Sequence, residues 1–150
     1  MPVPTLRPSR TGLALAVAMP VLLLMACNAT GGSTPPPSGA CVVADAQNKV
    51  ELSAKDVKFS APCIEATAGA PIVIHFTNDD TMPHNVAVYA NNSKQTELVK
   101  GEIITGPNAT TTVTVPAQQP GQLYFECSVH STMNGALVVR AAPGASLRAS

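Results

Sequence analysis

Residues 123–139 read LYFECSVHSTMNGALVV, and this stretch decides how the rest of the chain is interpreted. Leu123, Phe125 and Cys127 occupy every second position, so one face of the segment is apolar, as in a half-buried β-strand. A second apolar run begins at residue 135 and ends at 139. The stretch therefore predicts two strands joined by a short loop.

Alternation with period two recurs earlier in the chain, at Ile72, Ile74 and Phe76, at Val86 and Val88, and at Val113 and Val115. Segments rich in Gly, Pro and Asn separate these runs, and no stretch has a convincing helical period. The 14 prolines and 10 glycines argue against long helices. The spacing predicts an all-β fold, a Greek-key β-sandwich of about seven or eight strands.

Length and charge limit the functions that the chain can have. A chain of 150 residues has room for one ordinary domain once a targeting segment is removed. Nine basic residues balance nine acidic ones, so the formal net charge is zero. Nucleic acid, which requires a strongly basic surface, is not expected as a partner.

The N-terminal segment is typical of an export signal, since Arg7 and Arg10 precede an uncharged apolar run. The run ends in Leu-Met-Ala-Cys27, which resembles the lipobox of bacterial lipoproteins and implies acylation of Cys27 after cleavage before it. The expected location is the periplasmic or cell-surface side of a membrane. We predict a signal peptide at 1–26, a lipid-anchored flexible linker at 27–40, a folded domain at 41–140 and a disordered tail at 141–150.

Cysteine usage separates one thiol from the others. With Cys27 lipidated, three cysteines remain in an oxidising compartment, so at least one stays outside any intramolecular disulfide. We predict that Cys41 pairs with Cys63, because one opens the domain and the other stands at a predicted strand start. Cys127 is left free, and its simplest interpretation is a small buried hydrophobe.

The residues after Cys127 favour a metal site instead. His130 and Met133 follow at three-residue intervals, so a thiolate, an imidazole and a thioether lie in one loop. Together with a second imidazole this set suits copper in a trigonal geometry with a weak axial thioether, whereas zinc has little use for methionine. The second imidazole must come from elsewhere in the chain, with His84 the first candidate and His75 its competitor.

At these residues the sequence resembles the cupredoxins, the blue type 1 copper proteins, over residues 50–139. The family pattern is a His-Asn pair upstream of a Cys, His, Met loop, found here as His84-Asn85 and then Cys127, His130 and Met133. The short Cys-x-x-His-x-x-Met spacing looks most like that of the amicyanins among the plastocyanin-like members.

The resemblance implies the role of each residue. His84, Cys127 and His130 become the strong ligands of one copper ion that alternates between Cu(I) and Cu(II), and Met133 becomes its long axial ligand. The Asn85 side chain is expected to tie the two ligand-bearing loops together through the backbone near Ser128.

The function that the resemblance implies is electron transfer, with no catalysis and no small-molecule substrate. His130 is expected to lie nearest the surface, beside an apolar docking patch of Met82, Pro83 and Val129. The expected partners are redox proteins at the membrane surface, met by a monomeric carrier in weak, transient contact.

Two alternatives remain open. The first is a copper chaperone or storage protein of the same fold, although the Met-rich or His-rich tracts expected of it are absent. The second is an enzyme with Cys127 as nucleophile and His130 as base, which lacks an evident third residue to orient the base.

Overall fold

The computed structural model describes Met1 and residues 40–144. The predicted acylation site at Cys27, residues 2–39 of the predicted signal and linker, and residues 145–150 of the predicted tail lie outside the described residues. In the part of the chain that is described, no helix has the length and apolar character needed to cross a bilayer.

Ten strands form within these residues, and eight of them have three or more residues. They are β1 (Val42–Val43), β2 (Lys49–Lys55), β3 (Lys58–Phe59), β4 (Cys63–Thr67), β5 (Ile72–Asn78), β6 (Ala87–Tyr89), β7 (Glu97–Lys100), β8 (Ala109–Val115), β9 (Gly121–Glu126) and β10 (Asn134–Arg140). The predicted all-β architecture is confirmed, and the two strands beyond the expected number are the two-residue strands β1 and β3.

The strands form two mixed sheets. One sheet has six strands in the order β1-β4-β10-β9-β6-β7, and the other has four in the order β3-β2-β5-β8. Most sequential strands are not neighbours, because the chain crosses repeatedly from one sheet to the other. Within residues 40–144, only the β2–β3, β6–β7 and β9–β10 connections join adjacent antiparallel strands.

The core lies between the inner faces of the two sheets. The apolar residues that alternate along the sequence are buried there. In β5, Ile72, Ile74 and Phe76 are completely buried, and the residues between them are half-buried on the outer face. The Phe59 ring packs against Phe125 of the six-stranded sheet, with ring centroids 5.2 Å apart, and against Phe76 at 6.1 Å. Each such side chain, when fully buried, contributes about 1.5–3 kcal/mol to stability.

The predicted pairing of Cys41 with Cys63 is present as a disulfide. It joins the start of the domain to the first residue of β4 across a sequence separation of 22. Closing a loop of this length removes conformational entropy from the unfolded chain and stabilises the fold by about 3 kcal/mol. Among the described residues, Cys127 is the free cysteine, and it is buried.

Candidate metal centre

The residues singled out from the sequence come from two connections at one end of the sandwich. Cys127, His130 and Met133 lie in the connection between β9 and β10, which we call the ligand loop (residues 127–133). His84 lies just before β6 and pairs its backbone with Ile104 in both directions, at 3.0 and 2.9 Å. Because β6 is the neighbour of β9 in the sheet, His84 is brought beside the ligand loop.

The three-residue spacing of the ligand loop has a direct structural reason. The His130 backbone N–H donates to the Cys127 carbonyl at 3.2 Å, and the Met133 N–H donates to the His130 carbonyl at 2.9 Å. The Cys127 N–H closes the loop by donating to the Met133 carbonyl at 2.9 Å. Two successive tight turns thus place the three residues close together, with the main chain holding each of them.

Three donor atoms converge at the site. The Cys127 Sγ lies 3.7 Å from Nδ1 of His84 and 3.7 Å from Nδ1 of His130, and the two nitrogens are 3.2 Å apart. A point equidistant from these three atoms is about 2.1 Å from each, close to the ~2.0–2.3 Å that imidazole and thiolate donors keep from zinc. The side chains are therefore arranged as ligands of a single metal ion.

The chemistry of the donors selects among metals. One thiolate and two imidazoles in a trigonal set is the donor combination of blue copper electron-transfer sites. Met133 is 2% exposed, and its main chain bonds to both Cys127 and His130, so its thioether belongs to the buried interior of the same loop. The residues present fit copper, as the sequence predicted.

Asn85 connects the two ligand-bearing segments in the way that the family resemblance implied. Its Oδ1 accepts hydrogen bonds from the Ser128 backbone N–H at 2.8 Å and from the Ser128 hydroxyl at 3.0 Å. Its Nδ2 donates to the Gly101 carbonyl at 3.0 Å. The side chain is completely buried, so these bonds fix the residue after Cys127 relative to the residue after His84.

A carboxylate that was not predicted from the sequence contacts the other side of the His84 ring. Asp80 Oδ2 lies 3.3 Å from His84 Nε2. Hydrogen bonds from the backbone N–H groups of Val57 and Met82 lower the pKa of Asp80 to about 2, with a further contribution from His84. Asp80 is therefore ionised at neutral pH.

Exposure differs between the two histidines. His84 is completely buried, whereas His130 is half-buried, so solvent reaches the site on the His130 side. Of the predicted docking residues, Met82 is 46% exposed, Val129 is 41% exposed, and Pro83 is half-buried. Ile103, which was not among the predicted docking residues, is 54% exposed and directly precedes the residue that pairs with His84.

His75, the competing candidate for the second imidazole, is not part of the cluster. It lies on the outer face of β5, half-buried, beside the Thr112 hydroxyl at 3.2 Å from its Nδ1. The period-two alternation of β5 places it on this face, opposite the core. The structure thus leaves His84 as the second imidazole.

Comparison with known proteins agrees with the fold. A family model described as a cupredoxin-like domain matches residues 15–139, and the chain belongs to this family. A search of the curated proteins finds no match.

Solved structures of two auracyanins share the fold. Dithionite-reduced auracyanin from the photosynthetic bacterium Roseiflexus castenholzii has 17% identity and a TM-score of 0.56, covering 64% of this chain and 99% of that one. Auracyanin A, a "blue" copper protein from the green thermophilic photosynthetic bacterium Chloroflexus aurantiacus, has 18% identity and a TM-score of 0.54, covering 61% and 98%. A reduced amicyanin variant has 20% identity over 64% of this chain and 86% of that one, with a TM-score of 0.48.

Proposed function

We propose that this protein carries single electrons on one copper ion, which His84, Cys127 and His130 would hold, with the Met133 thioether as a fourth and weaker ligand. The observation that supports this most strongly is the triangle of one sulfur and two Nδ1 atoms with sides of 3.7, 3.7 and 3.2 Å. When bound, copper would supply the one-electron chemistry by alternating between Cu(I) and Cu(II). Auracyanin A shares the fold and is a "blue" copper protein, which agrees with the proposal.

The protein's contribution is a site that is already assembled. The backbone of His84 is paired with Ile104, the ligand loop is closed on itself, and Asn85 joins the two segments. Ligands held this firmly would keep their positions in both oxidation states of a bound copper ion, so little structural reorganisation would accompany the gain or loss of an electron. In this arrangement Cys127, completely buried, also keeps its sulfur away from solvent and from oxidants.

The half-exposed edge of His130 is the proposed point of electron exchange, because it is the ligand that solvent and a partner can approach. Met82 and Val129 are the exposed apolar side chains of the proposed docking patch. An apolar patch of this small size suits brief encounters with a redox protein, because a weak interface releases its partner quickly.

The proposal includes attachment to the outer face of a bacterial membrane. It is supported by the apolar N-terminal run ending at Cys27 and by the Gly-, Ser- and Pro-rich residues 28–40, which would hold the domain away from the lipid. Growth of a bacterial host expressing the full chain with labelled palmitate tests this. Label in the full chain and none in Cys27→Ser is expected, and an unlabelled full chain in the soluble export fraction would contradict it.

The copper site is tested by adding Cu(II) to the domain comprising residues 41–140 and recording visible absorption and electron paramagnetic resonance. We expect an intense thiolate-to-copper absorption band with narrow copper hyperfine splitting. The matched control is Cys127→Ser, which keeps the size of the side chain and removes the thiolate. A colourless wild type, or equal copper spectra in both proteins, would contradict the proposal.

A further inference from the structure

The buried His84 ring makes contacts on both of its nitrogens. Nδ1 faces the Cys127 sulfur at 3.7 Å, and Nε2 lies 3.3 Å from Asp80 Oδ2. A neutral imidazole has one N–H and one lone pair, so a nitrogen that offers its lone pair to a metal leaves the proton on the other nitrogen. Because His84 is completely buried, that proton requires a protein acceptor, and the Asp80 carboxylate is positioned as one.

Asp80 is itself held in place. Its Oδ2 accepts a hydrogen bond from the Val57 N–H at 3.1 Å, and its Oδ1 accepts one from the Met82 N–H at 3.3 Å. The Asp80 backbone N–H donates to Oδ1 of Asn78 at 2.9 Å. Asn78 is completely buried and also donates to the carbonyls of Met82 and Ile104. The side chain of Asp80 is 14% exposed, unlike that of a freely moving surface carboxylate.

The hydrogen bond from Val57 comes from an unusual turn. Lys55 and Lys58 are paired across the β2–β3 hairpin, and the two residues between them, Asp56 and Val57, have φ values of 51° and 56°. This is the backbone of a two-residue hairpin loop in which Gly usually takes the second position. A β-branched residue there is disfavoured, yet Val57 packs against the core and aims its N–H at Asp80. The turn thus places a fixed donor on the carboxylate.

We infer that Asp80 is a positioning residue for the copper site. Its carboxylate holds the His84 proton on Nε2, orients the imidazole ring and stabilises Cu(II) relative to Cu(I). The inference rests on the proposed function. A carboxylate that accepts from the far nitrogen of a ligating imidazole makes the imidazole a stronger donor. The fixed negative charge also favours the ion with the larger positive charge.

The first test needs no copper. Nitrogen-15 NMR of the metal-free domain at pH 8, where an ordinary imidazole is neutral, reports which nitrogen of His84 bears the proton. We expect the proton on Nε2, slow to exchange with solvent. A proton on Nδ1 of His84 in the wild-type protein would overturn the inference whatever the variants do.

The second test compares Asp80→Asn with Asp79→Asn. Each variant removes one negative charge, and Asp79 is the exposed neighbour. We expect Asp80→Asn to weaken Cu(II) binding by about 10–100-fold and Cu(I) binding less. For each tenfold decrease in the affinity for Cu(II) relative to the affinity for Cu(I), the reduction potential rises by about 59 mV. Asp79→Asn should leave the ratio nearly unchanged.

Equal changes in the ratio of Cu(II) to Cu(I) affinity in both variants would show a general effect of charge. An unchanged ratio in Asp80→Asn would show that the contact between Asp80 and His84 does not affect copper binding. Either result overturns the inference. Failure of the proposed function is separately visible, since the wild type would then lack the thiolate-to-copper absorption band while the NMR measurement still decides where the His84 proton lies.

Discussion

Replacing Asn85 with alanine should remove the side-chain hydrogen bonds that connect the two ligand-bearing segments, and should lower the stability of the fold. The amide accepts two hydrogen bonds from Ser128 and donates one to Gly101, at 2.8, 3.0 and 3.0 Å. At about 1 kcal/mol each, their loss amounts to about 3 kcal/mol of folding free energy. Typical domains have a total stability of about 5–15 kcal/mol, so Asn85→Ala should still fold.

The assay is urea unfolding of the metal-free domain, so that stability is measured apart from copper binding. The matched control is Ser128→Ala, which removes the hydroxyl contact with Asn85 and keeps the backbone N–H that donates to it. We expect this control to lose about 1 kcal/mol or less. The copper-loaded Asn85→Ala protein should also show a weakened thiolate-to-copper absorption band, because Ser128 directly follows Cys127.

The result that would refute this reasoning is an Asn85→Ala protein no less stable than Ser128→Ala. The side chain would then contribute nothing beyond the exposed hydroxyl contact, and the connection between the two ligand segments would depend on the strand pairing alone.

Three further predictions address the rest of the fold. The double variant Cys41→Ala, Cys63→Ala, which lacks the disulfide, should have a free energy of unfolding about 3 kcal/mol lower in urea titrations and an unchanged copper spectrum. An unchanged stability would contradict the argument from loop closure. Gly135→Ala should destabilise the fold by about 1–3 kcal/mol, measured by calorimetry, because the added Cβ would lie 2.5 Å from the Pro62 carbonyl oxygen. An unchanged stability would contradict this and would show that β10 can shift to make room. Burial, and after it the nearby Glu126 charge, raise the pKa of Tyr124 to about 12. The stability that this shift contributes is present below pH 10 and should be lost as the pH rises toward 12. An ultraviolet titration in which Tyr124 ionises at pH 10, like an ordinary tyrosine, would contradict this.

Much of the site could be predicted because its chemistry lies in a short stretch of sequence. Cys127, His130 and Met133 are spaced so that two successive turns bring them together, and this local geometry follows from the spacing. His84 comes from a distant segment and is favoured over His75 through the family resemblance and through the alternation that places His75 on the face opposite Ile72, Ile74 and Phe76. Both histidines lie in the described part of the chain, and of the two the structure places His84 with the loop residues.

Asp80 could not be recognised in the same way. Its contact with His84 depends on the path of residues 79–83, which Asn78 fixes through hydrogen bonds to the Met82 carbonyl within that segment and to the distant Ile104 carbonyl. In the sequence, the Asn-Asp-Asp run before Thr81 indicates only a turn. The partner that holds the carboxylate, Val57, is 23 residues away in the chain.

The fold could be predicted from its apolar strands, whereas some strands with many polar residues could not be identified. β2 reads KVELSAK, in which good helix formers compete with the alternation of the inward residues Val50, Leu52 and Ala54, and the parallel pairing with β5 selects the strand. The short edge strand β7 likewise depends on pairing with β6. Tertiary contacts decided both segments, since local propensity did not favour strands there.

The most direct test of electron transfer is a spectroelectrochemical titration of the copper-loaded domain through repeated cycles of reduction and oxidation. We predict a reversible one-electron transition in which the thiolate-to-copper absorption band disappears on reduction and returns with the same intensity and no loss of copper. Irreversible bleaching, or release of copper into a Cu(I) chelator at each reduction, would contradict electron transfer and would favour a protein that stores or delivers the metal.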